Sequence, residues 1–313
     1  MRSQRRGVSI VGLLQVAAVL TVFLSLLSGL DIPHRNIELL SHFRLQYFVV
    51  SVLLLIVFAF LRDGVYIVSL AVAVIFNATF ILPWYFTKPD AAQGATLKLL
   101  HANVLSRNTR YERFIDFVAK ENPDLIFLQE ITAEWLSATT GLLQEYPYSY
   151  AELRSGNFGI AAFSRIPFDS IRHIDSPPLG NPTIIATITI NDEQLNLVST
   201  HPNIPVGRHL YDARNEQLES VANLASNLSG KIVLMGDFNS STWDACFRKL
   251  EKSTGLKNVR QGFGILPSWP THSPFAMIPI DHALVSDSIF VSNAKTGSSI
   301  GSDHLPLIIT VRL

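Results

Sequence analysis

A chain of 313 residues with no net formal charge, 48% apolar residues and a positive mean hydropathy carries more apolar character than a soluble enzyme needs. Its one cysteine, Cys246, excludes an intrachain disulfide and a thiolate metal cluster. From Ala91 onward 18 Lys and Arg stand against 21 Asp and Glu, so this part lacks the basic excess with which duplex-binding proteins meet phosphates.

The apolar surplus lies near the N-terminus. The nearly uncharged runs Val8 to Leu30, Leu45 to Leu61 and Val65 to Phe86 predict three transmembrane helices. About 20 residues at ~1.5 Å each match a hydrocarbon core of about 30 Å. The middle run is the shortest and predicts one limb of a helical hairpin turning at Arg62-Asp63-Gly64. Arg2, Arg5 and Arg6 put the N-terminus in the cytoplasm by the positive-inside tendency. A cleaved signal peptide is the alternative for the first run, and the two apolar runs that follow favour an anchor. Three crossings then place everything after Phe86 on the extracytoplasmic side. Pro83, Trp84 and Tyr85 close the third helix with interfacial aromatic residues. The expected boundaries are 1–88 for the anchor, 89–96 for a linker and 97–313 for a folded domain.

Beyond the linker, Leu97 to Val104 predicts a strand, Thr109 to Glu121 a helix stopped by Pro123, and Leu125 to Gln129 a second strand. Ala133 to Leu143 reads as a helix, Phe158 to Phe163 as a strand. Thr183 to Ile190 and Gln194 to Thr200 read as a hairpin turning at Asn191-Asp192. A long amphipathic helix over Arg208 to Leu228 precedes a buried strand from Lys231 to Met235. Trp243 to Lys252 predicts a further helix, Gly262 to Pro279 a loop, and two closing strands end the chain. This alternation predicts an α/β protein with mixed sheets and a site along one rim.

Chemistry-bearing residues recur where apolar runs end. Asp237 and Asn239 follow Gly236 and point the same way in strand geometry, a place for a hard cation and an anionic oxygen; an Asx turn is the plainer alternative. Asn103, Gln129-Glu130, Thr200-His201, Asp281-His282 and Ser302-Asp303-His304 occupy comparable positions. Asn157, in Ser155-Gly156-Asn157-Phe158-Gly159, contacts phosphate or only shapes a turn. Asp212, Arg214 and Asn215 read as caps or ion pairs, Trp269 as a groove wall or a packing residue. His101, His209, His272 and His282 are read as structural or surface.

In this order the motifs resemble those of the endonuclease/exonuclease/phosphatase superfamily, over roughly residues 96 to 313. The resemblance implies a four-layer α/β/β/α sandwich of the DNase I-like kind, here preceded by three transmembrane helices. It also implies hydrolysis of a phosphoester or phosphoanhydride with a divalent metal, Mg²⁺ with Mn²⁺ as the alternative. The anchor is similar to that of a membrane-bound bacterial branch, which places the chain in a bacterial inner membrane as a multi-pass protein. Glu130 is the expected direct ligand, with Asn103 and Asp303 beside it. Asp237 and Asn239 are expected near the cation and the phosphoryl oxygen. His304 is expected as general base, oriented by Asp281, and His201 as stabiliser of the phosphorus centre or donor to the leaving group. A histidine at 201 resembles the DNase I-like and sphingomyelinase-like branches rather than the abasic-site endonucleases.

Three functions fit. A membrane-anchored phosphohydrolase acting on a lipid-linked phosphate gains effective concentration from its tether. A tethered nuclease is the second, disfavoured by the missing basic excess. A non-catalytic binding module is the third, disfavoured because each expected acid and base is present.

Overall fold

The computed structural model describes residues 9–30, 32, 34–86 and 94–313. Arg2, Arg5 and Arg6, and residues 89–93 of the expected linker, lie outside these. The chain divides into two compact units, Met1–Pro83 and Trp84–Leu313.

The first unit contains α1 (Ile10–Leu27), α2 (Arg35–Ser41), α3 (Arg44–Leu61) and α4 (Gly64–Ile81). The helices α1, α3 and α4 each have 18 residues and are long and apolar enough to cross a membrane. The middle helix is therefore no shorter than its neighbours. Arg62, in the left-handed region at φ 57°, ends α3 where the hairpin is expected. Inside the unit the Asn77 amide of α4 donates to Ser25 Oγ of α1 at 2.9 Å. The guanidinium of Arg44 is buried, donating to the Ser28 carbonyl and covering the Phe80 ring. The third helix stops at Ile81, earlier than expected, because Pro83 has no N–H to continue the ladder.

The second unit begins with the turn α5 (Pro83–Phe86), of which Trp84 onward belongs to it, followed by β1 (Thr96–Asn103), α6 (Tyr111–Glu121), β2 (Leu125–Gln129), α7 (Ala133–Ala138), β3 (Tyr148–Glu152), β4 (Ile160–Ser164), β5 (Ser170–Ser176) and β6 (Asn181–Ile190). It continues with β7 (Glu193–Thr200), α8 (Gly207–Ser226), β8 (Lys231–Asp237), α9 (Ala245–Thr254), β9 (Lys257–Asn258), β10 (Asp281–Val285), β11 (Phe290–Thr296) and β12 (Leu307–Arg312). One six-stranded sheet has the order β11-β12-β1-β2-β4-β3, the other β5-β6-β7-β8-β10-β9. Both are mixed: β1 and β2 run parallel, as do β7 and β8.

Leu97, Leu99 and Phe127 of the first sheet share a buried cluster with Ile184, Leu197 and Val233 of the second, so the sheets pack face to face. The outer face of the first sheet packs on Phe114, Phe117 and Trp135 of α6 and α7, and that of the second on Leu218, Val221, Phe247 and Leu250 of α8 and α9. The result is the four-layer α/β/β/α sandwich.

Local chemistry explains several boundaries. Asn191 and Asp192 both have positive φ, 49° and 65°, as a tight two-residue hairpin requires. The Asp244 carboxylate accepts from Cys246 N at 2.7 Å, so α9 starts at Ala245 rather than Trp243. The expected helix from Ala133 to Leu143 ends at Ala138 and continues as a 3-10 turn, Thr140–Gln144. Strands β3, β5, β9 and β11 have no counterpart in the sequence reading; all four are sheet edges.

Candidate active site

Alternation along each central strand builds the site. The inward series of β1 is Leu97, Leu99, His101, Asn103; that of β2 is Leu125, Phe127, Gln129; that of β8 is Val233, Met235, Asp237. β10 contributes Asp281 next to the inward Ala283, and Leu195, Leu197 and Ser199 of β7 lead to His201. The apolar core between the sheets thus becomes polar at one end.

Registration brings these ends together. Asp281 pairs with Asp237 across β10 and β8, Asn103 with Gln129 across β1 and β2. Gln129 then crosses from one sheet to the other: its amide donates to the Thr200 carbonyl at 2.7 Å and accepts from Asp237 N at 2.9 Å. At Gly236 a Cβ would stand 2.0 Å from the Thr200 carbonyl oxygen, so β8 approaches β7 closely enough here only with glycine.

Asp237 is the centre. Its Oδ2 lies 3.2 Å from Asn103 Nδ2 and 3.6 Å from Nε2 of both His201 and His304. Its Oδ1 accepts from Asn239 N at 2.9 Å. The Asn103 amide also donates to Glu130 Oε1 at 3.0 Å, while its own oxygen accepts from Leu105 N. Glu130 Oε2 accepts from Ser106 N, and Ser106 Oγ donates to Asn157 Oδ1 at 2.7 Å, which sets Asn157 at the rim. Asn239 donates to the Pro202 carbonyl, and its own carbonyl accepts from buried Arg214. Leu105, Glu130 and Asn239 are all non-glycine residues at positive φ, 59°, 61° and 51°, a local cost that clusters at functional sites.

Asp281 holds two imidazoles. His304 Nδ1 lies 2.8 Å from Oδ2, and His101 Nε2 2.9 Å from Oδ1. An ionised carboxylate only accepts, so both ring nitrogens carry hydrogen. Behind Asp281, the buried Arg260 donates to its carbonyl and lies against His282, whose Nε2 in turn meets the Ser240 carbonyl. Asp303 stands on the loop before β12, accepting from Trp269 Nε1 at 3.2 Å. The Phe158 ring lies 5.8 Å from that of His201, and the Trp269 ring 6.3 Å from that of His304.

The buried charges perturb one another. Burial alone would lower His304, but Asp281 and Asp237 outweigh it and raise its pKa to about 10. Burial would raise Asp281, and His304 and His101 overcome this to hold it well below the usual carboxylate range. Asp237 moves up, through burial and the nearby Asp281, against the pull of His304. Burial lowers His201 against the pull of Asp237 and favours its neutral form. His304 is thus an imidazolium paired with Asp281.

The donors suit a hard divalent cation. Ligand atoms of Asp237, Asp281 and His304 lie within 4.8 Å of one another, and Glu130 and Asp237 are joined through Asn103. Two buried carboxylates this close need compensating charge.

The sequence reading brings Asn103, Glu130, His201, Asp237, Asn239, Asp281 and His304 into one site, with Asn157 and Asp303 at its edge. It takes His101 as structural or surface, names Gln129 only as the motif neighbour of Glu130, and gives Arg260 no role. The signal for His101 is its place two residues before Asn103, on the same face of β1.

Comparison with known proteins agrees. The model of the Endonuclease/Exonuclease/phosphatase family matches residues 100–304. A UPF0294 protein of Vibrio parahaemolyticus is 29% identical over 130 residues, 39% of this chain; the match spans only 42% of that relative's length. Among solved structures, TDP2 of D. rerio complexed with single-strand DNA product is similar, with TM-score 0.61 and 18% identity over 70% of this chain and 100% of that one. The endonuclease/exonuclease/phosphatase of Bacteroides vulgatus gives TM-score 0.60 and 14% identity over 70% and 99%. These two share the fold. The family match, extending over most of the chain, carries the assignment: this protein belongs to the endonuclease/exonuclease/phosphatase family.

Proposed function

We propose that the chain is a membrane-anchored, metal-dependent phosphohydrolase that cleaves the phosphoester or pyrophosphate of a lipid-linked phosphate. The observation that carries the chemistry is the convergence of Asn103, His201 and His304 on Oδ2 of Asp237, beside the Glu130 carboxylate. The three spanning-length helices support the location.

Glu130 and Asp237 would hold the cation, with Asn103 keeping their oxygens together and Asp303 nearby. A divalent cation held there would supply positive charge to a phosphoryl oxygen and would offset part of the negative charge of Asp237. In its neutral form His304 takes the proton of the attacking water, and Asp281 holds its Nδ1–H so that Nε2 faces the water. His201, its Nε2 also 3.6 Å from Asp237 Oδ2, hydrogen-bonds the charge developing on phosphorus-bound oxygen, and Asn239 and Asn157 position the phosphate. We place the second unit on the extracytoplasmic side of a bacterial inner membrane, from the three crossings. A reporter fused after Leu313 tests that placement, and a cytoplasmic signal refutes it.

The deciding experiment compares the detergent-solubilised full chain on a polyprenyl diphosphate and on duplex DNA, with Mg²⁺ and with EDTA, alongside His304→Ala. Phosphate release from the lipid that needs both Mg²⁺ and His304 is expected. Cleavage of DNA alone would make the chain a tethered nuclease, a reading supported by the likeness to a DNA-bound TDP2. Inactivity on both, and on a panel of phosphodiesters, would leave a binding module.

A further inference from the structure

Seven large apolar side chains are exposed between Gly94 and Leu313, and five of them, Leu153, Leu179, Ile204, Val206 and Phe275, lie on loops at one end. Sheet register identifies that end. Leu153 follows β3, whose last residue Glu152 pairs with the first of β4, opposite Gln129. Leu179 turns the β5–β6 hairpin, closed by Ser176 opposite Asn181, and Thr183 two residues later pairs with Thr200. Ile204 and Val206 follow His201 directly. Phe275 lies on the loop leading from Trp269 into Asp281. All five therefore lie on loops at the catalytic end of the strands. The remaining two, Leu143 and Tyr148, are elsewhere, with Tyr148 opposite Ser164 at the far end of β4.

Isolated exposed apolar residues are ordinary; five gathered on the loops of one end are not. Phe275 is 94% exposed and Val206 63%, values that loop packing does not explain. The apolar character continues inward, through Phe158 beside His201 and Trp269 beside His304. The charged group beside it, the Arg208 side chain two residues after Val206, is 94% exposed and ion-paired with Asp212 at 3.6 Å, so the rim carries its apolar tips without a net charge there. Exposed apolar tips gathered at one end are the pattern of a surface that enters the headgroup boundary of a bilayer. The same chain supplies three helices long and apolar enough to cross that bilayer.

We infer that the rim formed by Leu153, Leu179, Ile204, Val206 and Phe275 seats on a lipid bilayer, so that the phosphate of a membrane-embedded substrate reaches the catalytic histidines without leaving the interface. This rests on the reading of the chain as a membrane-anchored phosphohydrolase and adds the surface that selects lipid over soluble substrates.

The test uses the full chain reconstituted in vesicles of phosphatidylethanolamine and phosphatidylglycerol. In a Cys246→Ser background, Phe275→Cys and, as control, Tyr148→Cys are labelled with a fluorophore and exposed to lipids bearing a nitroxide near the headgroup. Quenching at 275 and none at 148 is expected. Equal quenching at both positions, no quenching at 275, or cross-linking of 275 to a second copy would overturn the inference. In parallel, Leu179→Asp, Val206→Asp and Phe275→Asp combined should lower kcat/KM on a polyprenyl diphosphate in vesicles by about tenfold or more, as lost apolar anchors require. Turnover of bis(p-nitrophenyl) phosphate in solution should be unchanged. An equal fall on both substrates would refute selection by the rim. Inactivity of the unmutated chain on every phosphoester would refute the proposed function, while the quenching result still decides the rim.

Discussion

Nε2 of His101 lies 2.9 Å from Oδ1 of Asp281, the carboxylate oxygen that His304 leaves free. Both side chains are buried, and the pair joins β1 of one sheet to β10 of the other. His101 therefore acts through Asp281, as a positioning residue for His304. His101→Ala should reduce kcat on bis(p-nitrophenyl) phosphate by about 10–100-fold with KM nearly unchanged, the scale seen when a residue orienting a site ligand is removed. His101→Gln, which can donate to the same oxygen, should recover part of it. An equal change in KM, or no rescue by Gln, would mean that His101 only fills space.

Gln129 satisfies Asp237 N and the Thr200 carbonyl at once. Gln129→Leu strands both groups in the core, at a cost of about 1–3 kcal/mol for each unsatisfied group. The thermal midpoint of the detergent-solubilised chain should fall by several degrees. Tryptophan fluorescence follows it cleanly, because all four tryptophans, Trp84, Trp135, Trp243 and Trp269, belong to the second unit. An unchanged midpoint would show that the bridge contributes nothing.

On the proposed function, Glu130 and Asp237 would hold the cation. Mg²⁺ at 100 times its dissociation constant should stabilise the second unit by about 2.7 kcal/mol. Glu130→Gln, with one charge fewer and the same shape, should abolish most of that rise and the activity with it. A full Mg²⁺-dependent rise in Glu130→Gln would move the metal elsewhere.

Burial pushes the Glu251 carboxyl on α9 up to about 7, against the charges of Arg260 and Arg248, which pull it down. A folded-state value above the unfolded one means stability present in full below about pH 4.5 and lost as pH rises through about 7. At about 1.4 kcal/mol per unit the loss reaches at most about 3 kcal/mol. Glu251→Gln should therefore be more stable than the unmodified chain at pH 8 and not at pH 5. Thermal melts at the two pH values check this, and equal differences at both would refute it.

The central strands were legible because burial on both faces makes them apolar runs: β1, β2, β4, β6, β7, β8, β10 and β12 each coincide with one. Their polar ends were equally visible, so Asn103, Glu130, His201, Asp237, Asp281 and His304 could be named. The three helices long and apolar enough to cross a membrane followed from length and apolarity alone. Strands β3, β5, β9 and β11 carried no such signal. As edges they are paired on one side only, and sequences such as Ser170–Ser176 alternate weakly or not at all.

What tertiary structure alone decided is which of these ends meet. His101 reads as one more strand residue until β10 brings Asp281 against it across the sandwich, and Gln129 as a motif neighbour until it bridges Thr200 and Asp237. Arg260 lies in a stretch without a motif, yet it braces Asp281 from behind. The apolar rim is scattered over four loops, and only the shared direction of the strand ends collects it. Local sequence determines each strand and its terminal residue through burial and period; the partnership between strand ends depends on sheet register and on how two sheets face each other, which no segment encodes by itself.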